Sequence, residues 1–197
     1  MNAMRAVIGI LIFCLGGCSS LSAPPRDNFY RLNISAPQGR TAEQDSAALT
    51  FIAPFSASGL HGERALIYAH ADGIALEQYN YHFWIDSPRT LLQTSLAEYL
   101  QDVLGVQVVL DATGEEEMTI RGRIVRFERE AAGGSGRGVV ALQFDVFRGD
   151  GRVPLLTRRY ESAVNVEEDS IAAVATAVNA ATADVYARFS MELRSLY

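Results

Sequence analysis

The chain has 197 residues, 49% hydrophobic, 20% charged and 9% aromatic, with a formal charge of −6. That length suits one domain and the composition can fill a core, which excludes two catalytic domains and wholesale disorder. An acidic balance offers no field for a phosphate backbone, so nucleic acid is excluded as a partner. All 17 basic residues are arginine, which removes mechanisms built on a lysine nucleophile, Schiff base or phosphate-loop lysine.

The stretch MNAMRAVIGILIFCLGGC opens with Arg5, runs apolar from Ala6 to Leu15 and places Gly16 and Gly17 before Cys18. This is a secretory signal, too short for a permanent bilayer span. Leu15-Gly16-Gly17-Cys18 resembles the bacterial lipobox, so residues 1–17 are expected to be removed and Cys18 to become an N-terminus bearing diacylglycerol and an N-acyl chain. Cys14 is discarded with the signal, which leaves the folded part without a disulfide or a cysteine zinc site. Loss of Arg5 leaves 16 arginines against 23 acidic residues. Residues 18–28 form the lipidated cysteine and a Ser/Pro-rich tether, whose ten residues after Cys18 reach at most about 33–36 Å. Ser19 and Ser20 stand where an inner-membrane retention aspartate would lie, favouring the outer membrane, with the domain facing the periplasm.

The domain then spans residues 29–197. A strand is expected at Phe29–Asn33, a polar loop to Ala47, and an apolar run at Leu49–Ile52 that stops before Pro54. Arg64–Ala69 and Ile74–Ile85 read as strands joined by an Asp72-Gly73 hairpin. From Pro88 to Leu104 the period becomes helical, with Ser87 as N-cap, Pro88 at the first helical position and Gly105 as the stop. A short strand at Val106–Leu110 precedes three longer ones, Thr119–Glu130, Gly138–Arg148 and Val153–Val164, which predict an antiparallel meander. Ser170–Leu196 closes the chain as a long helix with a stripe of Ile171, Val174, Val178, Ala181, Val185, Phe189 and Leu193. The fold class is therefore α+β: a single-domain sandwich with a mixed or mostly antiparallel sheet of about seven strands and two helices on one face.

Catalytic motifs are sparse. The sequence contains no G-x-S-x-G elbow. Gly133 to Gly138 lies between two strand patterns and lacks the helix and lysine of a phosphate cradle. His61, His70 and His82 lack metal-binding spacing, and Glu115–Glu117 lacks the alternating ligands of a calcium loop. No catalytic residue, cofactor or metal is expected beyond the lipid. The densest feature is Glu77 to Asp86, with four aromatics in ten residues and the single tryptophan. Strict alternation would bury Tyr79, Tyr81, Phe83 and Ile85 and turn Asn80, His82 and Trp84 outward. Trp and His combine apolar area with polar edges, making those three the candidate partner-binding residues, with Trp84 packed beneath the following helix as the equal alternative.

In order along the chain, the lipobox, Phe29-Tyr30-Arg31-Leu32, Gly62-Glu63-Arg64-Ala65-Leu66-Ile67-Tyr68, the Tyr79-to-Trp84 strand and Ser87-Pro88 occur. Together they resemble the ABC-type transport auxiliary lipoproteins, the family that includes the PqiC lipoprotein of the paraquat-inducible system. Phe83 stands where that family would be expected to carry a basic residue before the tryptophan. The resemblance implies a non-enzymatic outer-membrane lipoprotein that aids lipid transport between the envelope membranes. Its implied partner is an MCE-domain periplasmic protein or an ABC transporter complex, docked as a possible homo-oligomer. A lipid-anchored envelope hydrolase and a lipoprotein regulator of cell-wall synthesis are the alternatives. Replacing Cys18 by alanine or serine should release the protein from membrane fractions or block its processing; intact mass of the mature chain reads this, and an unmodified N-terminus elsewhere with full membrane attachment would refute it.

Overall fold

A computed structural model describes residues 25–35, 48–131 and 135–197. The expected signal peptide, Cys18, most of the expected tether, most of the expected polar loop (residues 36–47) and residues 132–134 lie outside the described residues. The strands are β1 (Asn28–Tyr30), β2 (Leu49–Ile52), β3 (Ser56–Ala57), β4 (Ala65–Ala69), β5 (Leu76–Trp84), β6 (Gln107–Val109), β7 (Met118–Glu130), β8 (Arg137–Arg148) and β9 (Leu156–Asn165). The helices are α1 (Pro88–Leu104) and α2 (Ile171–Leu193), with a 3-10 turn at Gly59–Gly62 and another after α2. The nine strands exceed the expected seven or so, and β3, which no run in the sequence announces, has two residues, too few to display an alternation.

Helix α1 starts and stops where its capping chemistry dictates. Ser87 accepts a hydrogen bond from the Thr90 N–H, and Gly105 takes the left-handed conformation (φ 67°) that ends the helix at little steric cost. Helix α2 is capped in the same way, with Ser170 accepting from the Ala173 N–H.

The sheet is mixed. β7, β8 and β9 form the expected antiparallel meander. Along its other edge β7 receives three short strands in parallel: β2 at Met118–Ile120, β3 at Arg123–Ile124 and β4 at Arg129–Glu130. β6 extends the sheet beyond β2, while β5 and then β1 extend it beyond β4. Inward residues of β7 and β8, among them Ile120, Ile124, Phe144 and Val146, share one buried cluster with Leu92, Leu96 and Leu100 of α1 and Val178, Val185 and Phe189 of α2. The two helices are tied together inside it, where the Tyr186 hydroxyl donates to the Leu92 carbonyl at 2.8 Å.

Two glycines allow the close packing. A Cβ on Gly122 would sit 2.4 Å from the Phe55 ring, which lies over it, and a Cβ on Gly138 would sit 2.7 Å from the backbone nitrogen of Val178. Helix α2 therefore rests directly on the β8 backbone. Further along, Phe189 is fully buried and stacks on Phe144 with centroids 4.0 Å apart and planes 15° apart. Phe189→Ala should cost about 3–5 kcal/mol by the lost burial and the cavity left behind; chemical denaturation measures it, and a loss of under about 0.5 kcal/mol, the surface-substitution range, would contradict this packing.

Candidate functional site: a histidine and aromatic ledge on the β4–β5 edge

The site begins with a backbone irregularity. Ala65 pairs with Phe83 and Ile67 with Gln78, so the four residues Tyr79, Asn80, Tyr81 and His82 stand opposite Leu66 alone. The surplus residues form a bulge, in which Tyr81 adopts φ 63°, the one positive φ of a non-glycine among the described residues. Beyond the bulge the phase of alternation is shifted.

That shift corrects the expected faces. His82 and Trp84 do share a side of the strand, but it is the side leading to the core. Trp84 is 2% exposed and packs on Phe127 with centroids 5.0 Å apart, in the same cluster as Leu92 and Leu96 of the following helix. Tyr81 and Ile85, expected inside, are 46% and 42% exposed. Of the three candidate residues, Asn80 is exposed at the bulge, His82 is half-buried and Trp84 is enclosed. A period-two reading cannot anticipate this, because the extra residues are accommodated by the partner strand's register.

The bulge also brings Tyr79 and His82 together on one side. Tyr30 of β1 stacks on His82 (centroids 5.8 Å, planes 22°), and its hydroxyl lies 2.8 Å from His82 Nδ1. Tyr79 meets His82 edge-on at 6.4 Å and Tyr68 at 4.7 Å, and Tyr68 meets His70 at 5.5 Å. The result is a run of five rings, Tyr30, His82, Tyr79, Tyr68 and His70, across β1, β5 and β4. Its polar edges are fixed: Arg129 of β7 donates to the Tyr79 hydroxyl at 2.8 Å, and Glu77 accepts from the Tyr68 hydroxyl and pairs with His70 Nε2 at 2.9 Å. The Tyr68 hydrogen bond, then that from His70, holds the Glu77 carboxyl below its ordinary value. Burial pushes the Tyr30 phenol up.

Sequence reasoning missed Tyr30, Tyr68, His70 and Arg129 as members of this ledge. One part was available: counting outward from Asp72-Gly73 pairs Tyr68 with Glu77, the register observed. The contribution of β1 was not, since its parallel pairing with β5 joins segments over fifty residues apart.

A second polar cluster lies on β7. Its register shifts between Ile124 and Arg126, after which Phe127 enters the core and Glu128 is turned beneath the Gly59–Gly62 turn. Glu128 is 4% exposed, 2.8 Å from His61 Nε2 and 2.7 Å from the Arg126 guanidinium, which also pairs with Glu130. Burial acts to raise the Glu128 pKa, but the hydrogen bonds from His61 and Arg126 outweigh it and hold the carboxyl below its ordinary value.

The Glu77 and Glu128 carboxyls are both held below their ordinary values by their hydrogen bonds, and the three histidines contact Tyr30, Glu77 and Glu128, with no serine or threonine hydroxyl in their hydrogen bonds among the described residues. A depression of about 720 Å³ beside Pro54, Glu116 and Arg121 holds one perturbed carboxyl, and Glu116 is lowered because it caps the Thr113 backbone N–H. Among the described residues no group of three or more His, Cys, Asp or Glu is placed to hold a metal. What the ledge offers is stacking and hydrogen bonding from half-buried rings with polar rims, the chemistry of a protein interface.

The α+β fold, with two helices on one face of a mixed nine-stranded sheet, is shared by solved structures of low sequence identity. A Xanthomonas campestris protein of the DUF330 family aligns with TM-score 0.73 at 17% identity, covering 83% of this chain and 92% of its own. An uncharacterized protein aligns with TM-score 0.72 at 14% identity, covering 86% and 99%. A hypothetical protein from Chlamydia trachomatis aligns with TM-score 0.51 at 6% identity, covering 76% and 96%. No curated protein sequence matches the chain. The family is defined by sequence: residues 30–189 match the model of the ABC-type transport auxiliary lipoprotein component, and the chain belongs to that family.

Because the folded-state pKa of Glu128 is depressed, its stabilising contribution is complete above the pKa of an unfolded glutamate, about 4.3, and is lost as pH falls through the lower folded value. Glu128→Gln should therefore flatten the acid limb of stability below about pH 4.3; denaturant unfolding at a series of pH values measures it, and an unchanged acid limb would refute the assignment.

Proposed function

We propose that this chain is a non-enzymatic, lipid-anchored auxiliary subunit that stands on the periplasmic face of the outer membrane and docks the conduit of an ABC-type lipid transport system. The partner is an MCE-domain periplasmic protein or the transporter complex itself. The observation that carries the reading is a half-buried ledge with interface chemistry on a chain of the auxiliary lipoprotein family. Three features support it. The lipobox at Cys18 and the short tether hold the domain near a membrane. Among the described residues no helix is long and apolar enough to cross one. The polar clusters are neutralised internally in place of being presented to a substrate.

Within this reading Asn80 and His82 contact the partner, with Tyr79 and Tyr30 as the apolar floor, and Trp84 acts from beneath by fixing β5 on Phe127. Asn80→Ala and His82→Ala should leave stability within about 1 kcal/mol, the value of one hydrogen bond, and weaken co-purification with the transport protein encoded beside this one. Trp84→Ala should cost about 3–5 kcal/mol and lose the partner only as the fold is lost. Full partner retention by both surface variants at matched stability would move the docking site elsewhere; no partner with the wild type would remove the docking role.

A further inference from the structure

We infer that the outward face of β1 and β5, carrying Phe29, Phe83 and Ile85 with Tyr81 and Arg64 beside them, is a membrane-contact surface that rests on phospholipid headgroups next to the anchor. The inference rests on the reading of Cys18 as the lipidated residue.

β1 and β5 run parallel with Phe29 opposite Phe83 and Tyr30 opposite Trp84. Alternation therefore sends Tyr30 and Trp84 toward the core and leaves Phe29 and Phe83 on the other side, where their rings lie 5.9 Å apart. Ile85 continues this pairing, its N–H donating to the Tyr30 carbonyl at 2.8 Å. Phe29 is 55% exposed, and Tyr81 and Ile85 nearly as much. Bulky apolar side chains clustered on two adjacent strands are unlike the scattered exposed residues of an ordinary surface. Arg64 completes the patch: its guanidinium sits 5.7 Å from the Phe29 ring centroid and donates to the Ile85 carbonyl, yet the residue stays exposed. Aromatic rings rimmed by arginine are the composition that settles at the headgroup level of a bilayer, rings toward the acyl boundary and guanidinium on phosphate. Arg26 and Arg31, both exposed, flank β1 and extend the basic rim, against the nearby acids Asp27, Glu63 and Asp86.

The tether selects lipid as the occupant. Ten peptide steps separate Cys18 from Asn28 and reach at most about 33–36 Å. That is no more than about the width of a domain of this size, whose expected radius of gyration is about 15 Å. The surface beside Asn28 is thus the one held against the bilayer, and β1, an edge strand, carries the patch at that point. The five-ring ledge lies on the opposite side of the same two strands, which leaves it clear for a protein.

The test uses the full lipid-modified chain in vesicles of phosphatidylethanolamine and phosphatidylglycerol. With Cys14 removed and the Cys18 thiol acylated, a single introduced cysteine takes a nitroxide label without competition. Labels at Phe29→Cys and Ile85→Cys are compared with one at Ile74→Cys, 85% exposed in the hairpin turn at the far end of β5. In vesicles recovered by flotation, the first two labels should collide several-fold less with a water-soluble nickel chelate, and more with oxygen, than the third. Equal chelate access at all three positions in floated vesicles overturns the membrane surface while leaving the anchor intact. Shielding that arises only when the transport partner is added also overturns it and gives the face to a protein. Failure to float refutes the anchor and the inference together. The docking role is read separately, since no partner is present in the first measurement.

Discussion

A thirteen-residue strand, β7, must have both of its edges hydrogen-bonded if its backbone is to be buried, and most of the architecture follows from how that is done. One edge is satisfied along nearly its whole length by β8. The other is covered in relay by β2, β3 and β4, none longer than five residues. Parallel strands cannot be joined by tight turns, so the chain must leave and return between them. The connection from β4 round to β7 carries the β4–β5 hairpin, helix α1 and β6, while the Gly59–Gly62 turn lies between β3 and β4. Loss of β7 pairing would release all three short strands at once.

Two bulges then convert this scaffold into surfaces. The one after Ile124 turns Phe127 into the core and Glu128 out beneath His61, and the one at Tyr79–His82 returns Trp84 to the core against that same Phe127. The aromatic contact thus joins the two irregularities. It fixes β5 so that Tyr79 and His82 align with Tyr30 on one side while Phe29 and Phe83 pair on the other. The strand next to the sheet edge thus has two differentiated sides. The positive φ of Tyr81 falls where the two sides part.

The electrostatics are dominated by pairing within the domain. Arginine is the only cationic side chain besides histidine in the sequence, and several arginines are consumed in pairing: Arg126 with Glu128 and Glu130, Arg158 with Glu192, Arg188 with Asp184. The exposed pairs contribute little to stability. The buried Glu128 is different, because removing its partners would strand a charge beneath the turn.

Local chemistry let the sequence by itself determine a good deal. Ser87, Pro88 and Gly105 set the limits of α1, Asp72-Gly73 set the β4–β5 register, and the apolar stripe from Val174 to Leu193 marked the buried face of α2, because caps, turns and helical period act within a few residues. The lipobox motif and the order of short motifs pointed to the family in the same way. Tertiary structure alone decided the parallel pairing of β1 with β5, the relay along β7 and the bulge that encloses Trp84 and exposes Tyr81. Each is a contact between distant segments, and a strand's side-chain phase is fixed by its partner's register, so the shift at Tyr79–His82 had no local signature in the residues that undergo it.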